Sequence, residues 1–155
     1  MTTISAFSPR KRRSIAGLLA IVLLAVTAAG CMPADSRTFL DRTNGLRISY
    51  HEHRLSENDI LTAKAEAWAQ HMAATGQLAH SNLTSNLGGL RYRALGENVA
   101  YSYPTSNTLL TIHNMFVNSA GHRANLLNSG FTHMGVGVAK DSRGRVWVAE
   151  VFAAL

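Results

Sequence analysis

One cysteine, Cys31, is all that 155 residues hold. An intramolecular disulfide is therefore excluded, although disulfides are the usual staples of small exported domains. Internal repeats and low-complexity tracts are absent too, which leaves a chain of ordinary globular composition. The formal charge of +6 is a weak signal, because four of the fifteen Lys and Arg stand at Arg10-Lys11-Arg12-Arg13, and eleven then face nine Asp and Glu. No basic run interleaved with aromatics occurs, so nucleic-acid binding is not indicated. The longest uncharged apolar run, residues 15–29, falls short of the roughly 20 residues that span a bilayer as a helix.

That run has another reading. A basic stretch followed by a short apolar core has the form of an export signal. It ends in Ala28-Ala29-Gly30-Cys31, which resembles a bacterial lipobox with Ala28 where leucine is usual. Residues 1–30 are therefore expected to be a lipoprotein-type signal peptide, with Cys31 lipidated and residues 31–36 a short tether. One acyl chain holds a membrane only marginally, so stable anchoring calls for two or more on Cys31. Residues 37–155 make one domain, long enough to bury a core without staples.

Periodicity within that domain predicts helices first and strands last. Asp35 or Ser36 is placed to cap a first helix with Phe39, Leu46 and Tyr50 on its apolar stripe. A cap between Ser56 and Asp59 opens a second helix, lined by Leu61, Ala65, Trp68 and Met72 and stopped near Gly76. Residues 80–95 read as a long polar loop, of a length that is often functional. Ser106 is placed to cap a third helix carrying Leu109, Ile112 and Phe116, and a short helix follows at residues 121–127. Strands are expected at 134–139 and 145–152 around a turn at Asp141-Ser142-Arg143-Gly144, with a third at 99–101. Gly135 and Gly137 in a strand suggest close approach by another backbone. The near-continuous apolar run Val146-Trp147-Val148-Ala149 suggests a strand buried on both faces. This order makes an α+β domain.

Three islands carry the chemistry: Ala79-His80-Ser81, Gly96-Glu97-Asn98-Val99 and Gly121-His122-Arg123-Ala124-Asn125-Leu126-Leu127-Asn128. With Gly130-Phe131-Thr132-His133-Met134-Gly135 behind them, they resemble the CAP superfamily of cysteine-rich secretory proteins, antigens and pathogenesis-related proteins, in its bacterial form. The resemblance implies a three-layer α-β-α sandwich with a central, mainly antiparallel three-stranded sheet. It also implies a cavity lined by His80, Glu97 and His122. The family's second glutamate has no counterpart here, since Phe116-Val117-Asn118-Ser119 holds no acid. Glu150 lies in the last strand, outside any matched motif.

Two imidazoles and a carboxylate can hold zinc or another divalent ion with an open position. The same trio can serve as a hydrogen-bonded cluster that shapes the cavity, and a carboxylate between imidazoles would raise their pKa values. No metal is required by anything in the sequence. Nor is there a nucleophile elbow or a helical His-Glu-x-x-His pattern, since His51-Glu52-His53 sets its histidines two apart. His113 falls among Leu109, Leu110, Phe116 and Val117 and reads as a core histidine, and Trp68 and Trp147 as packing. Asn98, Asn125 and Asn128 read as satisfiers of turns and helix ends. The expected protein is a monomeric, non-enzymatic module in the bacterial cell envelope, anchored through Cys31 and binding lipids, sterols or other small apolar ligands. Its rivals are a metal-dependent hydrolase of cell-wall or protein substrates working through His80, Glu97 and His122, and a protein-interaction module with an inert cavity.

Overall fold

The computed structural model describes residues 32–155. The signal peptide expected at residues 1–30 and the lipidation expected at Cys31 lie outside them. The domain opens with α1 (Ala34–Ser49), a two-residue strand β1 (Ser56–Glu57) and α2 (Asp59–Thr75). Then come β2 (Ala94–Ser102), α3 (Thr108–Asn118), α4 (Ala120–Leu126), β3 (His133–Lys140) and β4 (Val146–Ala154). No helix of the described residues is long and apolar enough to cross a membrane.

The strands lie in the order β1-β3-β4-β2. Three long strands pair antiparallel as expected, with Gly137 opposite Ala149 and Glu97 opposite Val151. The sheet has a fourth member, because Ser56 and Glu57 pair parallel with His133 and Met134. Two residues are too few to show alternation, so periodicity carries no sign of β1. β4 is central and every one of its residues is buried, as its apolar run suggests. Trp147, Ala149 and Val151 face one core with Leu61, Ala65 and Met72 of α2. Val148 and Phe152 face the other, with Phe39, Ile112, Phe116 and Leu126 of α1, α3 and α4. The result is an α-β-α sandwich with α2 alone on one side.

β3 explains how α2 comes so close. A Cβ built on Gly135 would lie 2.1 Å from the Leu61 carbonyl carbon, and one on Gly137 would lie 2.2 Å from that of Ala65. Helix and strand backbones are therefore in direct contact, which only glycine permits.

The helix ends differ in detail from the sequence expectations. Ala34, Asp35 and Ser36, expected in the tether, form the first turn of α1, and Met32 is buried in the core. Pro33 precedes α1, so neither Asp35 nor Ser36 caps it. Asn58 caps α2 by accepting from the Ile60 and Leu61 amides, each at 3.1 Å. Asn107 rather than Ser106 caps α3, accepting from the Leu110 amide at 3.1 Å. Tyr50, expected on the inner stripe of α1, is exposed because the helix ends at Ser49 and the chain turns away. Its place inside is taken by Arg47, fully buried. The Arg47 guanidinium donates to the carbonyls of His53 at 2.7 Å, Leu126 at 2.8 Å and Asn128 at 3.0 Å. Two of those carbonyls close the C-terminal end of α4, where a cation is favoured.

Candidate functional site

The site forms around β2, an edge strand of the sheet. Strand alternation sends the Glu97 and Asn98 side chains to opposite faces. Glu97 is almost wholly buried. Its Oε1 accepts from the Ser81 amide at 2.8 Å and lies 2.8 Å from Nδ1 of His80, an ion pair when that ring is protonated. The loop after α2 thus docks on β2 through one carboxylate oxygen. The other, Oε2, is buried and has no hydrogen-bond partner. His80 projects into solvent, with 63% of its side chain exposed.

His122 reaches the same region from α4. Its ring packs edge-on against Phe116, with centroids 5.2 Å apart. Burial and then the neighbouring His80 hold its pKa below the ordinary histidine value. At His122 this overturns the expectation of a pKa raised by a neighbouring carboxylate. His122 is close enough to His80 to be repelled by it, and it stays neutral at pH 7.

Asparagines tie the two sides together. Asn98 Nδ2 donates to Glu150 Oε2 at 3.0 Å and to the His122 carbonyl at 3.2 Å. Asn125 Nδ2 donates to Asn98 Oδ1 at 2.9 Å and to the Glu97 carbonyl at 3.1 Å. These two asparagines, read from the sequence as satisfiers of turns, instead lock α4 to β2 and set where Glu97 and His122 stand. Asn128 does serve a turn, accepting from the Gly130 amide at 2.8 Å. Glu150 does not replace the missing glutamate of the cavity. It is fully buried behind Asn98, and burial, opposed by the Asn98 bond, pushes its pKa up to about 8. His113 is a core residue, as expected, with burial and then Arg42 lowering its pKa to about 4.

A zinc ion needs about 2.0–2.2 Å to each nitrogen or oxygen ligand. Among the described residues, no three His, Cys, Asp or Glu side chains lie close enough to hold one metal ion. Glu97 Oε2 is a spare acceptor, and His80 bonds Oε1 of the same carboxylate through Nδ1, which leaves its Nε2 unengaged.

Beside His122 a groove of about 580 Å³ opens along the edge of β2. Leu78 from the loop, Val99, Tyr101 and Tyr103 from β2 and beyond, and Met115 and Phe116 from α3 give it an apolar lining. Leu78, Tyr103 and Met115 are exposed large apolar side chains. The amphipathic pattern of α3 points Phe116 inward but says nothing of Met115, so the groove was not legible from spacing.

The sequence pattern of the cysteine-rich secretory protein (CAP) family matches residues 40–151. The chain belongs to the CAP family. The chain is 28% identical over 131 residues to YkwD, an uncharacterized protein of Bacillus subtilis, a match over 80% of this chain and 49% of that protein. The chain thus spans about half the length of that relative. In fold it is similar to an extracellular SCP-domain protein of Bacillus anthracis, with TM-score 0.65, 24% identity, and 78% of this chain and 40% of the other covered. It is also similar to an outer surface protein of Borrelia burgdorferi, with TM-score 0.66, 17% identity and coverage of 77% and 91%. The four helices and four-stranded mixed sheet of the described residues are the CAP fold.

Proposed function

We propose that this CAP domain is an exported, non-enzymatic binding module of the cell envelope, anchored through lipidated Cys31, that holds a lipid or another apolar small molecule. The observation that carries the reading is the groove along β2. It is large enough for a small ligand, lined mainly by apolar side chains, and bordered by one neutral imidazole. Apolar surface left open in this way is characteristic of binding sites. The extracellular and outer-surface relatives support placement outside the cytoplasm. The His80–Glu97 pair serves here to dock the loop that carries Leu78.

Titration with cis-parinaric acid, a fluorescent fatty acid, tests the reading. Saturable binding is expected, weakened by at least about tenfold in Met115→Glu, which places a charge in the groove. It should persist in His80→Ala. Absence of saturable binding in the wild type, with metal-dependent cleavage of a peptide, ester or cell-wall substrate that His122→Ala abolishes, would establish the hydrolase reading instead.

A further inference from the structure

A second cavity, of about 250 Å³, lies on the α2 side and shares no lining residue with the groove along β2. Lys64, Trp68 and His71 of α2 form one wall, and Ser81, Asn82 and Asn86 of the following loop form the other. Three features distinguish it. Lys64 is only 5% exposed, and its ammonium donates to the carbonyls of Asn82 at 2.8 Å and Ser85 at 3.0 Å. An ammonium carries three donors, so one N–H of this buried group is left over. Ser81 Oγ is buried without a hydrogen-bond partner. The indole of Trp68 and the imidazole of His71 stack face to face at 4.6 Å and 19°, which leaves their outer faces for a ligand, and the indole N–H is fixed on the Ala79 carbonyl at 2.8 Å.

The kind of ligand follows from this chemistry. A simple anion is poorly matched, because Lys64 already faces two carbonyls and the field of Glu97. An apolar ligand would leave Ser81 Oγ and the spare Lys64 N–H without partners, which is costly in a buried place. A sugar ring meets both demands. Each hydroxyl accepts from an ammonium or amide while donating to a hydroxyl or carbonyl, and its C–H face lies against an aromatic surface. The carboxamides of Asn82 and Asn86 and the free hydroxyl of Ser81 are donor-acceptor groups of that sort. The volume admits one ring, below the span of drug-sized pockets. We infer that the cavity between α2 and the 81–86 loop is a subsite for one neutral sugar ring of a saccharide, recognised by the Trp68–His71 stack, Ser81, Asn86 and the spare N–H of Lys64.

The test is titration of the ¹⁵N-labelled domain with N,N′,N″-triacetylchitotriose, followed through the Trp68 indole N–H and the amides of residues 81–86. The two indole signals are assigned with Trp68→Phe. Saturable shifts confined to these groups are expected at up to about 10 mM sugar, the range of a single small subsite. His71→Ala and Asn86→Gly alter exposed residues, and glycine accepts the positive φ of 58° at residue 86, so both keep the fold. Each should weaken binding by at least about fivefold, while Met115→Glu in the other groove leaves it unchanged. The inference is overturned by no shift at these concentrations, by equal affinity in both variants, or by sodium phosphate producing the same shifts. Fatty-acid binding in the groove is read separately, so either result can fail without the other.

Discussion

Glu150 shows how a single residue can set a pH dependence without belonging to a site. It sits in the central strand opposite Asn98 and Val136, fully buried, with one hydrogen bond from Asn98 and its Oε1 without a partner. Burial, partly offset by the Asn98 bond, raises its pKa from 4.5 to about 8. The folded state therefore holds a proton that the unfolded state releases above pH 4.5. Stability from this group is complete below pH 4.5 and declines until about pH 8. Glu150→Gln keeps the acceptor for Asn98 and removes the titration. It should be more stable than the wild type by a few kcal/mol near pH 7 to 8, and equal to it near pH 4. Urea midpoints at the two pH values check this. Sequence pattern places Glu150 in the strand but leaves its environment open, since a lone acid in an apolar run reads equally as a buried group or a cavity ligand. Arg47 and Lys64 were hidden for a related reason. Charged residues in helices normally face water, and only the tertiary fold brings carbonyls to their buried tips.

At the scale of elements, legibility followed the length of each pattern. α2 declares itself through Leu61, Ala65 and Met72, all fully buried, and through a cap within residues 56–59. β1 is set by pairing with β3 alone and leaves no trace in periodicity. The glycines of β3 mark the close approach of α2, and the contact leads to a sharp expectation. A Cβ at residue 137 would meet backbone atoms of Ala65 and Glu66 at 2.2–2.3 Å, and backbone yields less readily than a side-chain tip. Gly137→Ala should cost at least about 3 kcal/mol, beyond ordinary overpacking, or prevent folding. Gly121→Ala, where no atom lies within 4 Å, serves as the control and should fold normally. The α4 end gives a companion case. Arg47→Met retains much of the buried stem but strips the carbonyls of Leu126 and Asn128 of their donor. A loss of about 2–4 kcal/mol is expected, with amide exchange accelerated first in α4. If exchange rises evenly across the domain, the anchoring role assigned to Arg47 is wrong.

The whole molecule combines two buried groups that titrate in opposite senses on the same side of the sheet. His113 packs against Phe39 with its pKa lowered from 6.5 to about 4 by burial and then by Arg42. The unfolded chain takes up that proton first as pH falls, so stability from His113 is complete above pH 6.5 and lost down to about pH 4. Glu150 works the other way between pH 4.5 and about 8. Where the windows overlap, from pH 4.5 to 6.5, each group contributes a slope of at most about 1.4 kcal/mol per pH unit, and the two slopes oppose. The wild type should therefore show a nearly level melting temperature across the overlap. It should fall above pH 6.5 through Glu150, and below pH 4.5 through His113 with the paired carboxylates. Glu150→Gln exposes the His113 limb, so its melting temperature should climb from pH 4.5 to 6.5 and then level off. His113→Phe exposes the Glu150 limb and should decline steadily from pH 4.5 to 8. With both substitutions the profile should be level from pH 6.5 to 8, and any rise below pH 6.5 should be that of His122, whose pKa is also lowered. Thermal melts of the four proteins across that range decide the matter, and a Glu150→Gln profile parallel to the wild type would show that Glu150 does not hold its proton in the folded domain.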